Sequence, residues 1–546
     1  MLRISIIFVF FVFLHASFDK QWKIILHLNH SFDKLNSKFY LSYPDINATK
    51  ELNLDIKQIK SLNKEFICKF PYRYKFLRQY YKLPYFDLNR CNNLQKFLKK
   101  FKNNNQLGVI FTSALRDYPQ SSFGHIMLIF INKNNLLNSN IVHFYAKTRQ
   151  EKFIKYAYDG LVGNFDATFE QDTLSNKIKF YNNLQQRTMF LYYLNYSDKQ
   201  VKNLLLHLYE LKSFKAKYYF LDYNCASGLL DLLKTIDSNI DDSYILISLP
   251  IDTLKTLKSH INNIKILLPL NQQVILLLQK MDYQQQRLFL LNVENKYKKD
   301  INKLPDIVKE ALQKYYIYKY SRASVYRQYS KFKKVKYKKT PLDTSSIIDP
   351  LHAIQPTEIQ TYYSSDGLIF DVRPFNIDKF DYQNNLVNEF TYKLFDFQFL
   401  YHQKLQLEKL DIAYSESLNK IYYPYFIPIS WRIYLGLNKE NIEHKLAFDY
   451  ELGIGQTFQK YLIFNYFVSI GVNAGAYKSV FIKPEINLMY YLKDIKLYDN
   501  YFIKSNGYYK NIIGSSIKID DYKGFLIQYI KDNNIKQFRV GFYISF

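Results

Sequence analysis

From Gly367 to Phe546 hydrophobic and polar positions repeatedly alternate with a period of two, the pattern of strands with one apolar and one polar face. At the C-terminus Phe538, Val540, Phe542, Ile544 and Phe546 fall on one face, and Gln537, Arg539, Gly541, Tyr543 and Ser545 on the other. Upstream, Leu446, Phe448, Tyr450, Leu452 and Ile454 alternate with Lys445, Ala447, Asp449, Glu451 and Gly453, and Tyr466, Val468, Ile470 and Val472 with Asn465, Phe467, Ser469 and Gly471. Phe395, Phe397 and Phe399 form another such stretch around Asp396 and Gln398. About ten of these segments predict a closed antiparallel barrel of roughly 8–12 strands, apolar outside toward lipid and polar inside. A soluble β-sandwich would need the apolar face buried. The terminal Phe, with 52 tyrosines and 44 phenylalanines in the chain, favours the membrane.

Ahead of the barrel the pattern changes. Residues 22–62 read as mainly helical with a turn at Ser42-Tyr43-Pro44, and Phe70-Pro71 marks a break. Strand-like runs follow at Gly108–Thr112, Ile126–Phe130 after His125, and Ile141–Ala146 around His143. Ser197-Asp198-Lys199-Gln200 is a capping box, and Val201, Leu204, Leu205 and Leu208 continue it at helical spacing. Leu229, Leu230, Leu233 and Ile236 share one helical face, which puts Cys225 in the first turn of a buried helix. The predicted organisation is a signal peptide over 1–17, a helical N-terminal domain over 18–104, an α+β domain over 105–250, a helical connector over 251–345 broken at Leu267-Leu268-Pro269, and the barrel over 346–546.

Composition changes this picture in two places. The formal charge of +27 is spread through a chain rich in Asn, Ile, Tyr and Phe, so it is a bias of the whole sequence and not a nucleic-acid patch. One basic cluster runs from Lys314 to Lys339, including Arg322, Arg327, Lys331, Lys333 and Lys334; it suits either an anionic lipid headgroup or a solvated linker. The start of the chain, with Arg3, an apolar run from Ile4 to Leu14 and small residues at Ala16-Ser17, has the form of a secretory signal. Export makes the cysteine count informative. Of three cysteines, Cys68 and Cys91 lie in one short segment and pair as a disulfide worth roughly 3 kcal/mol. Cys225 is left over, either as an inert buried thiol or as a nucleophile.

The nucleophile reading has a mechanism. A helix N-terminus offers partial positive charge and free amides, which lower a thiol's pKa. A histidine on a facing strand can take the proton and a polar group beyond can orient that histidine. The residues for these roles are His125 as base and His143 as orienter, with Asn224 or Tyr145 as substitutes for the latter. The amide of Cys225 and the Ser121-Ser122 loop are candidate oxyanion donors. The ten histidines form no metal constellation, and no cofactor is expected.

Ser121-Ser122-Phe123-Gly124-His125, Leu194-Asn195-Tyr196, Leu208-Tyr209-Glu210-Leu211 and Tyr223 to Leu233 around Cys225 resemble the signature of the DUF4105 family, the Lnb N-terminal periplasmic domain. Cys68 to Tyr74, and Gly367 to Phe375, resemble regions that flank it. The resemblance implies a papain-like, NlpC/P60-related fold in permuted order and a lipoprotein N-acyltransferase. Cys225 would be acylated from a phospholipid or lipoprotein donor with His125 as base, and the acyl group would pass to the α-amine of a bacterial lipoprotein. The chain departs from the pattern at His143-Phe144-Tyr145, where an Asn-Phe-Gly segment is expected, and at Ala226-Ser227, where threonines are common. Two other readings share the residues: a cysteine peptidase or amidase acting on peptidoglycan or peptides, and a non-catalytic outer-membrane binding protein. All three place the chain in a Gram-negative envelope, anchored in the outer membrane with its soluble part in the periplasm.

Overall fold

A computed structural model of the chain describes residues 17–28, 39–114, 123–147, 153–213, 215–243, 245, 247–294, 301–320, 335–345, 347, 349–353, 355–381, 390–422, 426–459, 462–475 and 479–546. The apolar run of the signal, Ser121 and Ser122, and Arg322 to Lys334 of the basic cluster lie outside the described residues. The chain forms two compact units. The first takes in the sequence up to Thr112 together with Gly124–Leu267, and the second Ser113–Phe123 with Leu268–Phe546.

The first unit is built on an antiparallel sheet of seven strands: β1 (Gln106–Thr112), β2 (His125–Ile131), β3 (Asn140–Lys147), β4 (Phe165–Thr173), β5 (Met189–Leu194), β6 (Ala216–Tyr218) and β7 (Ile261–Leu267), in the order β6-β4-β3-β2-β1-β5-β7. β1 and β2 read as continuous apolar runs because both faces are covered; every residue of β2 after His125 is buried. Two predicted boundaries move. β7 pairs along β5, so this domain runs past 250 to Leu267, and the connector begins later. The N-terminal helices are not a separate domain. The helix over 17–25, Ala48–Lys60, Lys64–Lys69, Pro71–Tyr80 and Asn92–Lys99 belong to the same unit as the sheet.

What ties them in is a polar core. Arg73, on the helix Pro71–Tyr80, is fully buried, bonds Glu51 at 2.9 Å and the Phe39 carbonyl at 2.9 Å, and is sandwiched between the rings of Phe39 and Phe70. The amides of Tyr72 and Arg73 donate to Glu210 Oε1 at 2.6 and 2.9 Å. Glu210 ends the helix Asp198–Glu210, whose cap at Ser197 with Gln200 is the box read from the sequence. Burial pushes the Glu210 carboxyl up to about 8 and holds His207 down at about 3, so their 2.9 Å contact is a hydrogen bond to an uncharged imidazole and not an ion pair.

Cys68 and Cys91 are disulfide-bonded across 23 residues. Replacing both with alanine is expected to lower the stability of this unit by about 3 kcal/mol, through the freedom regained by the unfolded chain. Urea unfolding in detergent, followed by the fluorescence of buried Trp22 in a Trp431→Phe background, measures it; an unchanged midpoint would mean that the helices already restrain this segment.

The second unit holds the helices Leu270–Lys280, Tyr283–Val293 and Asp306–Tyr320, packed through Val274, Leu277, Phe289, Val308 and Leu312. It then forms a barrel: β8 (Glu358–Ser364), β9 (Gly367–Arg373), the short β10 (Phe375–Ile377), β11 (Phe390–His402), β12 (Lys404–Ser417), β13 (Ser430–Asn438), β14 (Ala447–Gln459), β15 (Ile463–Ala474), β16 (Ser479–Leu492), β17 (Ile495–Ile503), β18 (Tyr509–Lys518), β19 (Lys523–Asp532) and β20 (Lys536–Ser545). Successive strands pair antiparallel, β20 pairs with β8, and β9 with β11, which closes a ring of twelve strands without β10. The alternation has the sense expected of a membrane barrel. Leu452, Ile454, Val468, Ile470, Val540 and Phe542 are exposed, while Asp449, Glu451, Asn465 and Ser469 are buried inside. A sandwich would bury the apolar set.

Candidate active site

The helix Cys225–Lys234 starts where the sequence placed it. Asn224 caps it, accepting the Ala226 amide at 2.8 Å, and its own amide donates to Ser227 Oγ at 2.8 Å. The helix lies on β2 and β3. Gly228 permits the approach, since a Cβ there would come within 2.8 Å of the Phe144 ring.

The register of the sheet separates the nucleophile from the imidazoles. Thr112 pairs with His125 and Ile110 with Met127, so His125 shares a face with Ile110, Met127, Ile129 and Ile141, and alternation along β3 adds His143 and Tyr145. Phe144 and the Cys225 helix are on the other face. A split in the sheet joins the two sides. The β2–β3 ladder covers only Leu128–Phe130 with Asn140–Val142, and the amide of Ile126, not used in that ladder, lies near enough to the Cys225 sulfur to pull its pKa down. His125 is the next residue along. Tyr181 and Arg187, which belong to the imidazole side, lie within electrostatic reach of the sulfur.

On that side the ring of His125 stands 6.0 Å from His143, edge to face, and 6.0 Å from Tyr181. Lys177 lies 3.2 Å from His143 Nε2 and 3.2 Å from Asp172. An ammonium can only donate, so Nε2 accepts and the proton of neutral His143 sits on Nδ1. Arg187 stacks on Tyr181 at 5.1 Å and donates to the Thr112 carbonyl at 3.2 Å. His143 Nδ1 and Thr112 Oγ1 are buried with no hydrogen-bond partner among the described residues, leaving two polar atoms free to meet a substrate.

The electrostatics correct one expectation. Burial pushes the Cys225 thiol up, outweighing the Ile126 amide, the Tyr218 hydroxyl and the amides of the helix start, which all pull it down. Burial, then His143, Arg187 and Lys177, holds His125 well below the usual imidazole value, and burial with Lys177 holds His143 at about 4. The resting pair is therefore thiol and neutral imidazole, with no thiolate–imidazolium pair. Alkylation of Cys225 by iodoacetamide is expected to be slower at pH 8 than that of an unstructured cysteine, and to keep rising above pH 9, because the thiolate fraction lags a normal thiol at every pH. A rate already level at pH 7 would contradict this.

The amide of Cys225 donates to the Tyr218 hydroxyl at 3.2 Å and is not a free oxyanion donor. That hydroxyl also lies beside the sulfur and pulls its pKa down. Asn224 is spent on structure: its amide hydrogens go to the carbonyls of Phe220 at 3.0 Å and Ser248 at 2.6 Å, which leaves it neither donor nor orienter. Tyr145 is exposed, its ring 5.7 Å from His143. Tyr218, Tyr181, Arg187 and Lys177 carried no signal in a chain so rich in tyrosine and lysine.

Residues 93–260 match the family model described as the Lnb N-terminal periplasmic domain. Residues 15–80 match one described as a domain of unknown function, DUF7843. Among solved structures, the KdgM porin in complex with disordered oligogalacturonate and the KdgM porin alone are each 13% identical, with a TM-score of 0.24, and cover 35% of this chain and 98% and 99% of their own. A NanC porin structure is 10% identical, with a TM-score of 0.23, over 35% of this chain and 98% of its own. No curated protein matches the chain.

Proposed function

We propose, taking as premise that residues 93–260 form an Lnb-type periplasmic domain in an exported outer-membrane protein, that the chain transfers acyl groups through Cys225 to the N-termini of bacterial lipoproteins. The observation that carries this reading is the Cys225 sulfur beside the Ile126 amide at the β2–β3 split, that amide one residue from a neutral, half-buried His125. In the first half-reaction His125 takes the thiol proton as the sulfur attacks an ester carbonyl of a phospholipid. The C–S bond forms, the ester C–O bond breaks, and the imidazolium returns the proton to the departing alcohol of the lysolipid. In the second, the α-amine of a lipid-modified cysteine attacks the thioester. The C–N bond forms, the C–S bond breaks, and the amine proton passes through the imidazole back to sulfur.

The Tyr218 hydroxyl stabilises the carbonyl oxygen as charge develops. His143, with Nε2 taken by Lys177, packs edge to face on the His125 ring and keeps an unpaired Nδ1–H for a substrate. The fold this implies is the permuted NlpC/P60-like arrangement, histidine before cysteine. The barrel contributes by tethering the domain to the membrane, where acyl donors and lipoproteins reside. The test is mass spectrometry of lipoprotein N-terminal peptides from cells with and without this chain. An added N-acyl group only when it is present supports transfer. Unchanged peptides, with a thiol-dependent cut in peptidoglycan or peptide, would assign it to the hydrolases instead.

A further inference from the structure

Residues 374–381, which follow β9, turn into the barrel. After β10, Asp378 to Asp381 are all buried or half-buried, and each meets the wall. Asp381 bonds Arg373 on β9 at 3.0 Å, Asp378 bonds Lys393 on β11, and the Phe380 ring stands 4.9 Å from Tyr498 on β17. Lys379 bonds Glu416 on β12 at 2.8 Å and Glu485 on β16 at 3.3 Å. In the ring of twelve, β9 and β16 lie opposite each other, six steps apart either way. Two residues of chain, Lys379 and Asp381, thus reach opposite walls of the lumen.

The contacts are paired charges. Arg432 completes the layer around Lys379 by binding both Glu416 and Glu485, the latter at 2.6 Å, and Asn500 from β17 donates to Glu485 at 2.8 Å. A solute or ion crossing here would have to part buried ion pairs and leave each member without compensation.

We propose that residues 376–381 are a plug that seals the lumen, so that the barrel anchors the protein without conducting ions. The experiment is planar-bilayer recording with the purified full chain. The native chain is expected to give no conductance steps at 1 M KCl, and a variant with 376–381 replaced by a Gly-Ser linker of equal length discrete ones. Porin-like steps from the native chain would overturn the proposal, as would silence from the linker variant when its heat-modifiable gel shift shows a folded barrel. A second variant covers the case in which the linker variant does not fold. In a Cys225→Ser background, Lys379→Cys is expected to resist a water-soluble maleimide in the folded protein and to label fully after unfolding. Rapid labelling of the folded protein would overturn the plug.

Discussion

Exchange of Cys225 for serine is expected to abolish acyl transfer, and exchange of His125 for alanine to slow it by about 10²- to 10⁴-fold, the range of a lost general base. The two losses have different origins. Serine keeps the volume and the capping geometry of the helix start, yet its hydroxyl is a far weaker nucleophile than a thiol and a poorer leaving group in the second half-reaction. Alanine at 125 leaves the sulfur, the Ile126 amide and Tyr218 in place but removes the only imidazole adjacent in sequence to the sulfur's amide partner. Because burial raises the thiol, the alanine variant should recover part of its rate as pH rises past 9, when ionisation no longer needs a base. With His125 present the rate should hold as pH falls through 6.5, since an imidazole held below its usual value stays an unprotonated base there. Rates from single-turnover acylation of each variant, set beside its unfolding midpoint, separate chemistry from folding. Equal rates for native and alanine forms would remove His125 from the mechanism.

The largest expected effect on stability comes from Arg73→Met. The methionine fills much of the space between Phe39 and Phe70, so little is lost in packing, but Glu51 stays buried without its cation and the Phe39 carbonyl loses the Arg73 hydrogen bond. Leaving one member of a buried pair alone costs about 3–5 kcal/mol. Trp22 fluorescence during urea unfolding, in the Trp431→Phe background, reads the unit directly. A loss below about 1 kcal/mol would mean that water or rearrangement compensates Glu51.

The barrel was the most legible part of the chain, because a lipid-facing surface imposes one apolar residue in two for the length of every strand. β8 escaped the count from Gly367 because Glu358-Ile359-Gln360-Thr361-Tyr362-Tyr363-Ser364 is short and mostly polar, yet it pairs with both β9 and β20. The plug was invisible, since nothing local distinguishes Asp378-Lys379-Phe380-Asp381 from an exposed turn; its meaning lies in partners such as Glu485, far along the chain. β7 was absorbed into a helical stretch, as Ile261, Ile264, Ile266 and Leu267 fit either period. In the site, the helix cap and both histidine strands followed from local pattern. The split between β2 and β3 did not, because where a ladder stops is decided by the helix that packs across it. The charge balance at Cys225 depends on burial for the same reason, which is why the helix start alone gave the wrong direction.

The proposed chemistry requires the sulfur of Cys225 to carry an acyl group. Intact-mass analysis of the full chain, purified from membranes and split into halves with and without neutral hydroxylamine, tests it. The predicted result is one acyl mass on the Cys225 peptide that hydroxylamine removes and that His125→Ala largely lacks; a free thiol at Cys225 in native chain incubated with phospholipid would contradict it.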